Sequence, residues 1–211
     1  FVRDPATPVH VVGVEVILSQ ATAANVHHIV LKGCNQCDVD GQDSFCTDGG
    51  TIVWAWAPGS HNIAFPAEAG LRLLGPSSAG GFSMLDIEIH YDNPTLSSTL
   101  IDDTVLRFYY TETLRAHDVG VFNLGDPTVA LANVDGSSLK PGWTHTSFTC
   151  TSGFTNQFAV DEVTVVARGL HMHEIGARMS VKIVRDGTVY REDTVEMWDF
   201  NAAGVHNPMS I

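Results

Sequence analysis

Apolar and polar residues alternate in short runs along most of this chain. Stretches such as "VHVVGVEVIL", "TIVWAWA" and "LDIEIHY" are rich in Val, Ile, Phe, Tyr and Trp, and they end at Gly, Pro, Asn or Asp. A period of two with such punctuation is the mark of half-buried strands. It predicts strands over Val9 to Leu18, Val26 to Lys32, Thr51 to Ala57, Phe82 to Tyr91, Val105 to Thr113, Val163 to Met172 and Arg178 to Arg185. The "RDG" at Arg185 to Gly187 predicts a tight hairpin, because Asp-Gly readily takes the positive φ such turns need. Helical periodicity is hard to find, so the fold class is all-β, a sandwich or barrel.

The pattern changes near Thr111 to Val121. It predicts two stacked β-modules, residues 1–112 and 113–211. The second reads as incomplete: after "EMWDFNAAG" the chain stops at "VHNPMSI", with few strands left to close a sandwich. Open edges and bare apolar faces invite association. Further residues, another chain or a neighbouring copy are therefore expected to complete this module. Phe1 is not methionine, and the sequence reads as a piece of a longer chain.

Composition narrows the function classes. The chain has 211 residues, 44% of them hydrophobic and 17% charged, as a folded globular chain does. A net charge of -13, from 24 acidic and 11 basic residues, argues against a nucleic-acid partner, since phosphate binding needs a basic face. No apolar run reaches the roughly 18 residues of a membrane span.

The four cysteines are Cys34, Cys37, Cys46 and Cys150. The C-x-x-C of Cys34 and Cys37 fits zinc or thiol redox chemistry. A zinc ribbon needs a second such pair, and only Cys46 and Cys150 remain. The surroundings, "NQCDVDGQDSFCTDGG", are polar and turn-rich, so a disulfide from Cys34 to Cys46 would order a loose loop and imply an oxidising compartment. Cys37 and Cys150 would then need partners, either each other or residues elsewhere.

The candidate chemistry lies in histidines: His27-His28, His90 and His171-Met172-His173. Imidazole is the commonest protein ligand for transition metals. In a strand His171 and His173 share a face, half of a tetrahedral site. His27 and His28 are adjacent, and in a regular strand they face opposite sides; both reach one metal only if the backbone is twisted or different ring nitrogens are used. Along "DIEIHYDNP", Ile87 and Ile89 share the buried face, and Asp86, Glu88 and His90 share the other. A solvent-facing or packed histidine with no metal is the plainer alternative at each place.

The flanking words narrow this choice. "HHIVLKGC", "IVWAWAPG", "FPAEAGLRL", "LDIEIHYDNP", "RFYYTETLRAHDVGVFNLG", "GLHMHEIGARMSVKIVRDG" and "WDFN" occur in that order. Together they resemble the copper type II, ascorbate-dependent monooxygenases, and within them the branch of dopamine β-monooxygenase. The resemblance implies two jelly-roll-like β-sandwiches, the second of them C-terminally incomplete here. It implies one copper on His27, His28 and His90, and an oxygen-binding copper on the catalytic pair His171 and His173. It further implies a disulfide between Cys34 and Cys46, ascorbate as reductant, a small-molecule substrate such as an amine, and the secretory pathway or extracellular space as location.

The family also supplies a methionine sulfur to its second copper, well after the H-x-H. No such segment is recognisable before Ile211. Met84 belongs to the first module, Met172 faces away, Met179 and Met197 read as core or edge residues, and Met209 sits in a Pro-flanked tail. The peptide-hydroxylating branch carries an Arg two residues before the H-x-H; here Gly169 stands there and Arg168 is one step off. Two other readings stand beside the enzyme. One is a non-catalytic β-sandwich acting as a structural module in an extracellular assembly. The other is a zinc hydrolase on the three-histidine site with Glu88 as general base.

Overall fold

Two sheets meet across one apolar layer in the first half of the chain. The computed structural model describes residues 7–39, 44–73, 81–125, 141–157, 163–172 and 175–199. In chain order the strands are β1 (Val9–Ile17), β2 (Val26–Cys34), β3 (Cys37–Val39), β4 (Ser44–Cys46), β5 (Thr51–Trp56), β6 (Ile63–Ala64), β7 (Ala69–Leu73), β8 (Met84–Tyr91), β9 (Val105–Thr111), β10 (His117–Asp118), β11 (Met179–Arg185) and β12 (Thr188–Val195). A one-turn helix, α1 (Ser152–Thr155), lies between β10 and β11. The chain divides into two compact units, one within Phe1–Val121 plus Val165–Ile211, the other within Phe122–Thr164. In the second unit the described residues are mostly irregular and exposed apart from α1. Among the described residues no helix is long and apolar enough to cross a membrane.

In the larger sheet β1 is central. It pairs antiparallel with β6, β7 and β9, and β10 joins β7 in parallel. The smaller sheet runs β5-β2-β8, both pairs antiparallel. Val11 and Val14 of β1 and Leu71 of β7 pack against Val26, Ile29 and Leu31 of β2 and Trp54 and Trp56 of β5. That layer is the core of an all-β sandwich. The β-branched residues of β1 suit it, since they fill a pleated, half-buried surface. Gly33 is needed where it stands: an added Cβ would lie 2.4 Å from the Phe82 ring.

A second set of interactions binds the larger sheet. His10 is fully buried; its Nδ1 accepts the Arg115 amide hydrogen at 3.0 Å, and its Nε2 lies 2.7 Å from Asp118 Oδ1. A backbone amide can only donate, so the ring proton sits on Nε2 and is given to Asp118. Arg72 Nε donates to the other carboxylate oxygen at 2.9 Å. Strands β1, β7 and β10 are thereby tied through one carboxylate. Burial alone would raise the Asp118 pKa, but hydrogen bonds from Arg72 and His10, with the Arg72 charge, hold it below the ordinary 3.8.

Strand ends differ from expectation by one or two residues, and β3, β4, β6, β7, β10 and β12 are strands the alternation did not predict. The hairpin at "RDG" joins β11 to β12, with Asp186 at φ 50° and Gly187 at φ 75°. Three expectations are corrected. Val163 to Met172 is irregular, not a strand: β-propensity marks a residue that packs well, but a strand also needs a ladder partner. Ile89 packs on the core, whereas Ile87 is 43% exposed near the open edge of β8. Met197, expected as a core or edge residue, is 88% exposed and lies past the end of β12.

Ile29→Ala should destabilise the first half by about 2–5 kcal/mol, read as a lower urea midpoint at unchanged slope. An unchanged midpoint would mean that this layer is not the core. Asp118 stabilises the fold above its unfolded value near 3.8, and that contribution is lost as pH falls through its lower folded value. Asp118→Asn should therefore lower Tm at neutral pH and flatten the fall of Tm across that acid window; a parallel curve would contradict the network.

Candidate metal centre

The site begins with a conflict in β2. Val26 and Ile29 are both buried in the core, 1% and 0% exposed. Three positions separate them, and a period of two cannot turn both inward. The ladder to β8 resolves this with an extra residue: Val26 pairs with Tyr91 and His28 with His90, so His27 has no opposite number. A β-bulge of this kind re-aims a side chain. With it, both residues between Val26 and Ile29 are turned from the core, and the imidazoles of His27 and His28 meet that of His90.

Their ring centroids form a near-regular triangle: His27 to His28 5.1 Å, His27 to His90 5.1 Å, His28 to His90 4.7 Å. One ring nitrogen from each lies within 4.8 Å of the others. The His27 and His28 Nδ1 atoms are 2.9 Å apart. The first two residues are half-buried and His90 is exposed. Burial lowers the His28 pKa below 6.5, and the neighbouring His90 and His27 lower it further, against a smaller upward pull from Glu88. A neutral imidazole is what a metal takes as ligand. Three imidazoles with their ring nitrogens this close together suit copper or zinc.

The surroundings of this cluster are settled by pairs. Lys32 Nζ donates to Glu88 Oε2 at 2.8 Å. That hydrogen bond, then the Lys32 charge, keeps the Glu88 carboxyl below its ordinary range. The Glu88 carboxylate is thus engaged by Lys32, which weighs against it as the general base of a zinc hydrolase. Cys34 and Cys46 form a disulfide, Cα to Cα 5.7 Å, joining the end of β2 to β4. Asp48 lies beside them, but bonded cysteines are not metal ligands; its carboxylate accepts the amides of Asn35 and Gly50. Cys150 is free and exposed. The Cys37 side chain lies outside the described residues.

The remaining predicted ligands are placed less fully. His171 is exposed, with its ring edge-on to Trp198 at 6.0 Å, and its charge is felt at His28. His173 and Met209 lie outside the described residues. Since 163–172 is not a strand, the same-face argument for His171 and His173 has no basis here. Arg168 forms an ion pair with Asp193 of β12. A pocket of about 410 Å³ beside that pair is lined also by Met197 and Trp198. Sequence reasoning missed His10, whose alternating Val neighbours mark burial but not the partner 108 residues away. It also missed the bulge, although the V-H-H-I spacing carries it.

Comparison with known proteins bears on this same region. The model of the copper type II ascorbate-dependent monooxygenase N-terminal domain matches residues 2–98, which contain all three clustered histidines. Tyramine beta-hydroxylase of Caenorhabditis briggsae is 28% identical over 190 residues, covering 84% of this chain and 31% of the relative. Dopamine beta-hydroxylase of Equus caballus is 30% identical over 194 residues, covering 84% and 30%. The DBH-like monooxygenase protein 1 of Homo sapiens is 33% identical over 129 residues, covering 55% and 20%. The chain thus spans less than a third of the length of these relatives. With residues 2–98 matched to that domain and the three-histidine cluster carried on β2 and β8 of its sandwich, the chain belongs to the copper type II ascorbate-dependent monooxygenase family.

Proposed function

We propose that this chain is part of a copper monooxygenase that hydroxylates a C–H bond of a small molecule, using oxygen and ascorbate. The observation that carries the reading is the triangle of His27, His28 and His90. These residues hold one copper, within a first module of residues 1–112. His171 and His173, in a second module of residues 113–211, hold the other and are the catalytic pair. Bound copper supplies the one-electron chemistry that side chains lack, with ascorbate as the reductant.

The chain's own residues prepare the first centre. The bulge presents two adjacent imidazoles on one side, and burial favours the neutral form of His28. The Lys32–Glu88 pair keeps that carboxylate engaged with a lysine. Relatives named for tyramine and dopamine support an amine as substrate. The disulfide supports an oxidising compartment, the secretory pathway or extracellular space.

The test is metal content, with copper and zinc counted separately, on the full-length protein after loading and dialysis. Two coppers per chain are expected. His90→Ala should remove one of them, weakening that site by more than about 100-fold, beyond the loss seen for supporting residues. A chain that retains no copper, or retains it equally without His90, would contradict the reading and favour a non-catalytic structural module.

A further inference from the structure

The bulge at His27 is flanked by a ring of hydrogen bonds that one ladder pairing completes. The Thr22 carbonyl accepts the amide hydrogens of Asn25 at 2.7 Å and Val26 at 3.2 Å, which fixes the entry to β2. Val26 pairs with Tyr91 across the ladder, one step before the unpaired His27. Tyr91 Oη donates to Asp102 Oδ2 at 2.7 Å. The other carboxylate oxygen, Oδ1, accepts the hydroxyl of Thr22, which returns the ring to its start. Thr104 adds a hydroxyl hydrogen to Oδ1 at 2.8 Å and its amide at 3.3 Å. Thr22 is 2% exposed, so its hydroxyl is not free to exchange this partner for bulk water. A further pair closes the same corner: the Asp92 amide donates to the Asn25 carbonyl at 2.7 Å, and the Asn25 side chain to the Asp92 carbonyl at 2.8 Å.

We propose that Asp102 is a positioning residue for the three-histidine centre, acting with Thr22 and Tyr91 as a clamp that fixes the register on both sides of the bulge. The proposal rests on the reading that His27, His28 and His90 hold copper. The physical reason is the two-residue period. A slip of β2 by one residue turns each side chain to the other face. It would send His27 or His28 inward and Val26 out, breaking the triangle. Core packing of Val26 and Ile29 opposes the slip, but Val26 lies at the strand's first residue, where fraying is easiest. A carboxylate that gathers donors from the loop before β2, from the end of β8 and from the loop before β9 locks that end. Charge-assisted hydrogen bonds of this kind are stronger than neutral ones.

The experiment uses the full chain with Thr22→Val, Tyr91→Phe, Asp102→Asn and Asp102→Ala. Asp118→Asn, in the other sheet, serves as a control of comparable structural burden. Two readouts are taken. In metal-free protein, amide hydrogen exchange at Val26 and Asp92 should rise by about tenfold or more in Tyr91→Phe and Asp102→Ala, with Val30 and Leu31 unchanged. On titration with copper(II) alone, those variants should bind about 10- to 100-fold more weakly and show altered hyperfine splitting in the electron paramagnetic resonance spectrum. Asp102→Asn keeps a carbonyl acceptor and should fall between wild type and Asp102→Ala.

Wild-type copper affinity and spectrum in the clamp variants, with Tm lowered as in Asp118→Asn, would overturn the proposal and leave Asp102 a purely structural residue. Equal loss of copper in Asp118→Asn would overturn it as well. A wild-type chain that binds no copper, while exchange at Val26 and Asp92 still rises in the variants, would keep the clamp on the bulge and sink the copper reading instead.

Discussion

Val26 and Ile29 must both enter the core, and two histidines stand between them. An ordinary strand cannot meet that demand, so β2 takes an extra residue at His27. One local irregularity then decides where the histidines meet. It turns two adjacent imidazoles to the side of the sheet where His90 stands, opposite His28 on β8. Hydrophobic burial supplies the driving force: an Ile or Val side chain fully withdrawn from water gains roughly 1.5–3 kcal/mol. Exposing either to regularise the ladder would cost more than the ladder position given up at the bulge, where a backbone hydrogen bond is worth about 1 kcal/mol net.

The rest of the sandwich keeps β2 still. Beyond the bulge, Ile29 and Leu31 face the core in normal alternation, between β5 on one side and β8 on the other. At the far end, the disulfide from Cys34 to Cys46 ties the strand to β4 and, in the chain-entropy view, a loop of this size contributes roughly 3 kcal/mol. In the facing sheet the buried His10, the exposed Asp118 and Arg72 bind β1, β7 and β10, so the surface on which β2 rests is itself locked. A metal centre built on a strand between such supports is better fixed than one built on loops.

Much of the first sandwich was legible from alternation, because β1, β2, β5, β8 and β9 each have one face on the core. The short strands were not: β6 and β10 have two residues each, too few for a period to show. Val163 to Met172 misled, since its apolar residues earn partial burial without a ladder. Family words placed His27, His28 and His90 in one set, but the regular-strand argument could not bring the first two together. The missing step was the odd spacing of Val26 and Ile29, which marks a bulge as clearly as alternation marks a strand. His10 was beyond reach for another reason: a buried polar group is explained by its partner, and Asp118 is distant in sequence.

The central claim is that the bulge at His27 makes one metal site from three imidazoles. The most direct measurement is an anomalous difference map, collected at the copper edge on a crystal of copper-loaded protein. The account predicts a peak bounded by the rings of His27, His28 and His90, with Val26 and Ile29 both inward. A β2 strand in regular register with His27 and His28 on opposite faces, or a copper peak away from His90, would contradict it.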